Sequence, residues 1–116
     1  MKLSQADTLL NILSTMLNTK GIVGFKIARN YRMINDELKE YFEKKQELFE
    51  KYGTKQDDKL IIDKDSENYP LFLQEIEPYL NQEVEFNFRK ITEEELSNSE
   101  LTAEQMLLLE DMVEEG

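Results

Sequence analysis

Residues 23–53 read VGFKIARNYRMINDELKEYFEKKQELFEKYG, and the spacing of their apolar side chains decides the fold. These side chains recur mostly at steps of three and four residues: Ile27, Tyr31, Ile34, Leu38, Tyr41, Leu48 and Tyr52. That periodicity is typical of an amphipathic helix, whose opposite face is covered here by charged side chains. Because no Gly or Pro interrupts residues 26–52, we predict one unbroken helix that ends at Gly53 in a left-handed conformation.

The length of this helix has a consequence for the shape of the molecule. About thirty residues at roughly 1.5 Å each make a rod of about 45 Å. A compact domain of this size has a diameter of only roughly 35 Å. We therefore expect either an elongated molecule or an apolar stripe that is covered by a second copy or another partner.

A shorter helix is predicted on the N-terminal side, from Ser4 to Leu17. Ser4 and Asp7 have the spacing of a capping box, and apolar side chains follow with helical periodicity. Residues 18–21 are predicted to form a tight turn, so the two helices pack against each other. Gly24 is expected to allow their close approach.

On the C-terminal side of the long helix, the pattern predicts a third helix and a small β-ribbon. The third helix covers residues 69–80, with Pro70 in its first turn, and Pro78 is expected to kink or end it near Glu77. Residues 83–90, EVEFNFRK, alternate apolar and polar side chains like a half-buried strand. We predict that this strand pairs antiparallel with residues 60–62.

The C-terminal segment contains two further helix starts. Thr92 and Thr102 are each followed three residues later by Glu or Gln, which is the capping-box signature. The last helix has apolar side chains on more than one face over residues 106–113, so we expect it to dock on its own chain or on a neighbour. Together these elements predict an α+β fold, mostly α, in a single domain of residues 1–116 with a long central amphipathic helix.

The composition excludes several classes of chemistry. The 116 residues include no cysteine and no histidine, so disulfides, thiolate zinc sites, cysteine nucleophiles and histidine triads are ruled out. The N-terminus lacks the apolar core of a signal peptide, and no apolar run is long enough for a membrane span. We expect a soluble protein in the cytoplasm, with no membrane partner.

The net charge of −11 is unevenly distributed. Residues 1–35 contain five basic side chains and one acidic side chain, a net of +4. Since the total is −11, residues 36–116 carry −15. Such a field repels phosphates, which argues against general nucleic-acid binding. It leaves room for one local basic site.

Motifs for catalysis, metals or cofactors are absent from the sequence. Four glycines in total leave no glycine-rich phosphate loop. The acidic segment DKDSEN lacks the glycine and terminal glutamate of a calcium loop, and Glu40, Glu43 and Glu47 lie opposite the apolar stripe as a solvated face. We predict no metal, no cofactor and no enzymatic activity.

The candidate ligand-binding site is a polar cluster on the long helix: Lys26, Arg29, Asn30 and Arg32. The three cations are three residues apart and can converge on one anion, and arginine is suited to bidentate contact with phosphate or carboxylate. The alternative is intramolecular. In that case the cations pair with acidic residues of the same chain, in 93–95 or 110–115.

Three blocks of the sequence resemble a family of small phage and prophage proteins of Gram-positive bacteria. They are FKIARNYRMINDELKEYFEKKQELFEKYG at 25–53, LNQEVEFNFRKI at 80–91 and LTAEQMLLLEDMVEE at 101–115. The family has no assigned activity and brings no functional residues with it. Pro70 and Pro78 depart from its pattern.

The resemblance implies a phage origin, from which two functions follow as expectations. In the first, the protein binds and inhibits a host defence component, or sequesters the phosphate-bearing nucleotide signal of such a system, in the host cytoplasm. In the second, it is a structural or assembly accessory of the phage, such as a tail or capsid adaptor or chaperone. Either function suits a homo-oligomer.

Overall fold

The computed structural model describes residues 1–114 and confirms a mostly helical α+β fold. Within that range the elements follow one another as α1 Leu3–Ser14, α2 Gly21–Glu37, α3 Lys39–Tyr52, β1 Thr54–Gln56, β2 Lys59–Ile61, α4 Asn68–Leu80, α5 Glu93–Ser97 and α6 Ala103–Leu108. A short 3-10 turn, Glu110–Met112, comes after α6. The buried side chains form one cluster, to which α1 and α2 contribute most.

The predicted long helix is interrupted at Leu38, so the prediction of an unbroken helix is wrong. Leu38 has φ −89° and ψ 6°, outside helical geometry. The hydrogen bonds nevertheless continue through the junction, since the Leu38 N–H donates to Ile34 and its carbonyl accepts from Phe42, each at 3.0 Å. The side chain of Leu38 is fully buried. Packing explains the interruption, because α2 contacts α1 and α5 whereas α3 contacts α4 and β2.

The molecule is elongated, which is one of the two alternatives expected from the length of the helix. Its principal extents are 51 × 31 × 21 Å, and its radius of gyration is 17.1 Å. A compact chain of this length has a radius of gyration of about 13 Å. The successive helices α2 and α3 account for this length because they run on from one another.

The junction between α1 and α2 depends on a close backbone contact. α1 begins at Leu3, and Gln5 rather than Asp7 caps it, because its side chain accepts from the Lys2 N–H at 2.8 Å. A Cβ atom on Gly24 would lie 1.8 Å from the Thr19 carbonyl oxygen. The small residue is therefore needed by the connecting turn, not by α1 itself.

A β-hairpin follows α3. The sequence did not predict it, because residues 60–62 were expected to pair with residues 83–90. Gly53 has φ −81° and is not left-handed as predicted; a Cβ there would lie 2.4 Å from the Phe49 carbonyl oxygen. β2 pairs antiparallel with β1, whose residues the sequence assigned to a loop. Asp57 and Asp58 form the turn with φ of 50° and 65°, the positive values that a two-residue hairpin loop requires.

Residues 83–90 do not form the predicted strand. Glu83 makes a single bridge to Lys2, and Val84 exchanges two backbone hydrogen bonds with Met1. Residues 85–90 are extended without a strand neighbour. The alternation was nevertheless informative about burial, because Val84 is buried while Phe86 and Phe88 are half-buried and stacked with centroids 5.2 Å apart. Periodicity reports which side chains are buried, but it does not report where the backbone finds hydrogen bonds.

The third predicted helix is confirmed, and it begins one residue earlier than predicted, at Asn68. α4 includes Pro78 and ends at Leu80, so the alternative in which the helix ends near Glu77 is wrong. Pro78 lies in the last turn, where it removes one helical hydrogen bond, and the pattern resumes after it because the Asn81 N–H donates to the Glu77 carbonyl at 3.1 Å. Pro70 lies in the first turn as predicted.

Both C-terminal capping boxes are confirmed. Thr92 and Thr102 each accept a hydrogen bond at 3.1 Å from the backbone three residues on. Leu109 and Met112 are fully buried, and Ile91 pairs with Val113 in a single parallel bridge. The apolar C-terminal segment thus docks on its own chain. Residues 115–116 lie outside the described residues, so the predicted pairing of a cation with Glu115 is not described.

Replacement of Gly24 by alanine distinguishes helix propensity from packing. Propensity alone favours alanine by about 1 kcal/mol. We expect Gly24→Ala instead to lower the free energy of unfolding by about 1–3 kcal/mol, because the new methyl group overlaps the Thr19 carbonyl. Urea unfolding measures the difference, with Asn35→Ala on the exposed side of α2 as the control. A stabilised Gly24→Ala variant would show that the close contact does not exist.

Candidate functional site

Lys26 is held by an intramolecular ion pair. Its Nζ lies 2.6 Å from the Glu95 carboxylate and 2.7 Å from the Lys90 carbonyl oxygen. The same carboxylate accepts from the Thr92 N–H at 2.9 Å, where it completes the cap of α5. The hydrogen bond from Lys26, followed by that from Thr92, lowers the pKa of Glu95. Lys26 therefore pairs with an acidic residue of its own chain, as the intramolecular alternative predicted.

Asn30 is fully buried and serves the fold. Its Oδ1 accepts from the Arg89 N–H at 2.8 Å, and its Nδ2 donates to the Arg89 carbonyl at 3.1 Å. The same Nδ2 lies 3.2 Å from the Met112 sulfur. The amide therefore gives the extended segment the two hydrogen bonds that a neighbouring strand would have given. The prediction that Asn30 contacts an external ligand does not fit this burial, because no part of the side chain is exposed.

Arg29 and Arg32 point away from the core. Both are exposed, and no carboxylate of residues 1–114 forms an ion pair with either guanidinium. The Arg29 guanidinium lies over the Phe25 ring, 5.1 Å from its centroid, in the arrangement of a cation–π contact. Of the predicted cluster, these two cations alone remain available to a partner, and their role as ligand-binding residues stays a prediction.

Two apolar side chains extend this basic pair into a continuous stripe. Phe25 is 50% exposed and Ile22 is 51% exposed. With Arg29 and Arg32 they are spaced three, four and three residues apart, so they lie along one side of the helix. We call these four residues, Ile22, Phe25, Arg29 and Arg32, the outer face of α2. The sequence pattern did not reveal the apolar half of this face, because Ile22 and Phe25 do not belong to the buried stripe of the helix.

A second exposed apolar surface lies at the C-terminal end of the described chain. It is a groove of about 460 Å³ lined by Glu93, Ala103, Met106, Leu107, Glu110 and Val113. Leu107 is 71% exposed, which is unusual for a large apolar side chain. We call it the C-terminal groove. Its lining is apolar apart from the two glutamates.

Among residues 1–114 the groups with shifted pKa values lie in three places, and two of the groups, Lys51 and Glu75, contact each other at 3.8 Å. Burial raises the pKa of Tyr41 to about 12, and a hydrogen bond from Tyr52 lowers that of Glu75 in the contact of α3 with α4. Glu95 is in the other part of the molecule, beside Lys26. Perturbed groups in catalytic sites converge in one cleft. In the described part of the chain each of these shifts has its own structural contact.

Neither a metal site nor a membrane-spanning helix is present among the described residues. Within residues 1–114, no group of three or more carboxylates is arranged to hold a metal ion. Over the same range, no helix combines the length and the apolar character that crossing a bilayer requires.

Comparison with known proteins gives no relative. No protein-family model, curated protein or solved structure matches the chain. The resemblance to phage and prophage proteins therefore stays a prediction.

Asn30→Ala tests the structural role of the buried amide. The change leaves the Arg89 backbone without both partners, and we expect a loss of roughly 1–3 kcal/mol in the free energy of unfolding. Urea denaturation measures this loss. Asn87→Ala, at an exposed position of the same extended segment, is the control and should change stability little. Equal stabilities of the two variants would rule out the role given to Asn30.

The Lys26–Glu95 pair predicts a pH-dependent contribution to stability. Because the pKa of Glu95 in the folded protein lies below its usual value of 4.5, the contribution is complete above that value. It is lost as the pH falls through the lowered pKa. We therefore expect wild type to be more stable than Glu95→Gln at neutral pH, with the difference shrinking below pH 4.5.

Urea unfolding at several pH values between neutral and acid measures this difference. Glu94→Gln, which removes an exposed neighbouring carboxylate, is the matched control, because Glu94 makes no ion pair within residues 1–114. A difference for Glu95→Gln that is independent of pH would contradict a stabilising ion pair.

Proposed function

We propose that this protein is a phage-encoded, non-enzymatic binding protein that inhibits a host defence component in the host cytoplasm. We further propose that it contacts this target through the outer face of α2. The observation that carries the proposal is the exposure of Phe25 and Ile22 beside two arginines that form no ion pair within residues 1–114, on a molecule with a net charge of −11. Exposed apolar patches with polar surroundings mark interaction sites in folded proteins.

The chemistry of the outer face indicates what the target presents. Arginine and aromatic residues are enriched among the side chains that dominate binding energy, and arginine recognises carboxylate and phosphate. With a net charge of −11, the molecule repels anions at a distance. The target must therefore present its anionic group next to an apolar surface. Burial of that apolar surface against Ile22 and Phe25 compensates for the long-range repulsion.

A protein target fits this surface better than a nucleotide signal. Small-molecule sites are concave and enclose most of their ligand, whereas the outer face lies on the exposed side of one helix. Lys26, which would have been the third cation around a phosphate, is already bonded to Glu95. We therefore propose an acidic protein surface as the target, and sequestration of a phosphate-bearing signal as the less favoured form of inhibition.

A structural or assembly accessory of the phage is the second candidate. The length of 51 Å and the exposure of apolar side chains on two separate surfaces favour it. An adaptor joins two partners, and an elongated protein with two contact surfaces suits that task.

A plaquing assay tests the inhibitor proposal. The protein is expressed in strains of a Gram-positive host that each carry one defence system, and each strain is infected with a phage that its system restricts. We expect wild type to restore plaquing on at least one strain. Phe25→Ala with Arg29→Glu and Arg32→Glu should lower the restored plaquing at least about tenfold, because two or three dominant contacts are lost.

The control variant carries the same types of substitution on a different surface. Leu71 is 46% exposed on α4, and Lys59 and Lys64 are exposed cations. Leu71→Ala with Lys59→Glu and Lys64→Glu therefore matches the test variant in apolar loss and charge, and it should plaque like wild type. Equal loss in both variants would exclude a specific role of the outer face. If wild type restores plaquing on no strain and the protein is found in purified virions, the result would support the accessory function.

A further inference from the structure

The C-terminal groove and the outer face of α2 are complementary in both polarity and charge. The groove has an apolar lining that includes Met106 and Leu107, with Glu93 and Glu110 as its charged residues. The outer face presents Ile22 and Phe25 together with two arginines. Apolar area against apolar area and opposite charges at the rim are the arrangement of a specific protein interface.

These two surfaces are neighbours within one molecule. Lys26, in the same helix as the outer face, bonds to Glu95 of α5, and Glu93 of the groove begins that same short helix. The elements that carry the two surfaces are therefore joined directly by the Lys26–Glu95 pair. This position allows a twofold axis to place the outer face of each copy against the groove of the other.

We propose that two copies of this chain form a symmetric dimer in which the outer face of each α2 packs in the C-terminal groove of the other copy. Phe25 and Ile22 lie against Met106 and Leu107 across the interface. Arg29 and Arg32 pair with Glu93 and Glu110. The same contact occurs twice, once on each side of the axis, as in any isologous interface.

The dimer explains why both surfaces are exposed in the single chain. One contact alone is small, because α6 has only six residues. A stable interface buries about 800 Å² on each partner. Duplication by the twofold axis doubles the buried area and closes the assembly, so no free surface remains to extend it into a filament.

A charge-swap experiment tests the pairing directly. The face variant carries Arg29→Glu and Arg32→Glu, and the groove variant carries Glu93→Arg and Glu110→Arg. Each variant alone places like charges in both contacts and should be monomeric. Mixed together, the two variants place opposite charges in both contacts, so they should form a heterodimer.

Light scattering and sedimentation of the purified full chains, at roughly 1–100 micromolar, give the masses. Wild type should be dimeric, and each variant should bind itself at least about tenfold more weakly. Two controls match the charge changes elsewhere: Lys59→Glu with Lys64→Glu, and Glu43→Arg with Glu47→Arg on the exposed side of α3. Both should dimerise like wild type. Circular dichroism verifies that every variant is folded.

Three outcomes would overturn the proposal. The first is a monomeric wild type throughout that concentration range. The second is a dimer that neither charge reversal weakens. The third is a mixture of two folded, monomeric variants that forms no heterodimer, since restoration of complementary charge must restore the contact.

The dimer and the proposed target contact use the same outer face, so a copy that binds a target must first leave the dimer. The two proposals can nevertheless fail separately. The groove variant leaves the outer face intact, so it should be monomeric and yet restore plaquing. A monomeric wild type that restores plaquing overturns only the dimer. A dimer that dissociates as expected, in a protein that inhibits no defence system, overturns only the inhibitor.

Discussion

The buried amide of Asn30 is the contact on which the C-terminal half of the fold depends. Residues 85–90 have no partner strand, so their backbone groups need hydrogen bonds from another source. Asn30 supplies two of them to Arg89 from inside α2. The next residues are then positioned as well, because the Lys90 carbonyl accepts from Lys26 and Ile91 pairs with Val113. One side chain thus joins α2 to the segment that carries α5.

This arrangement also divides the basic residues of α2 between two roles. Lys26 faces α5, where Glu95 and a backbone carbonyl bind it, whereas Arg29 and Arg32 face outward. A partly buried ion pair with extra hydrogen bonds fixes geometry, and breaking it leaves an unpaired charge. The exposed arginines have no such task within residues 1–114. They are therefore the charges through which a binding function is proposed.

The division of the long helix at Leu38 separates the molecule into regions with different contacts. α2 packs against α1 and α5, and α3 packs against α4 and β2. Because the two helices still run on from one another, the molecule reaches 51 Å. An elongated chain buries less of its apolar surface than a sphere does. The outer face and the C-terminal groove are parts of that unburied surface, and both are proposed here as contact surfaces.

The sequence by itself determined the helical class, the two capped C-terminal helices and the apolar side of residues 84–88, because these follow from local periodicity and capping chemistry. Only the tertiary structure decided the interruption at Leu38 and the absence of a strand at 83–90, since both depend on neighbours remote in sequence. The same holds for the candidate site. Spacing grouped Lys26, Asn30 and the arginines, but the position of the Arg89 backbone and Glu95 decided which of them the fold uses.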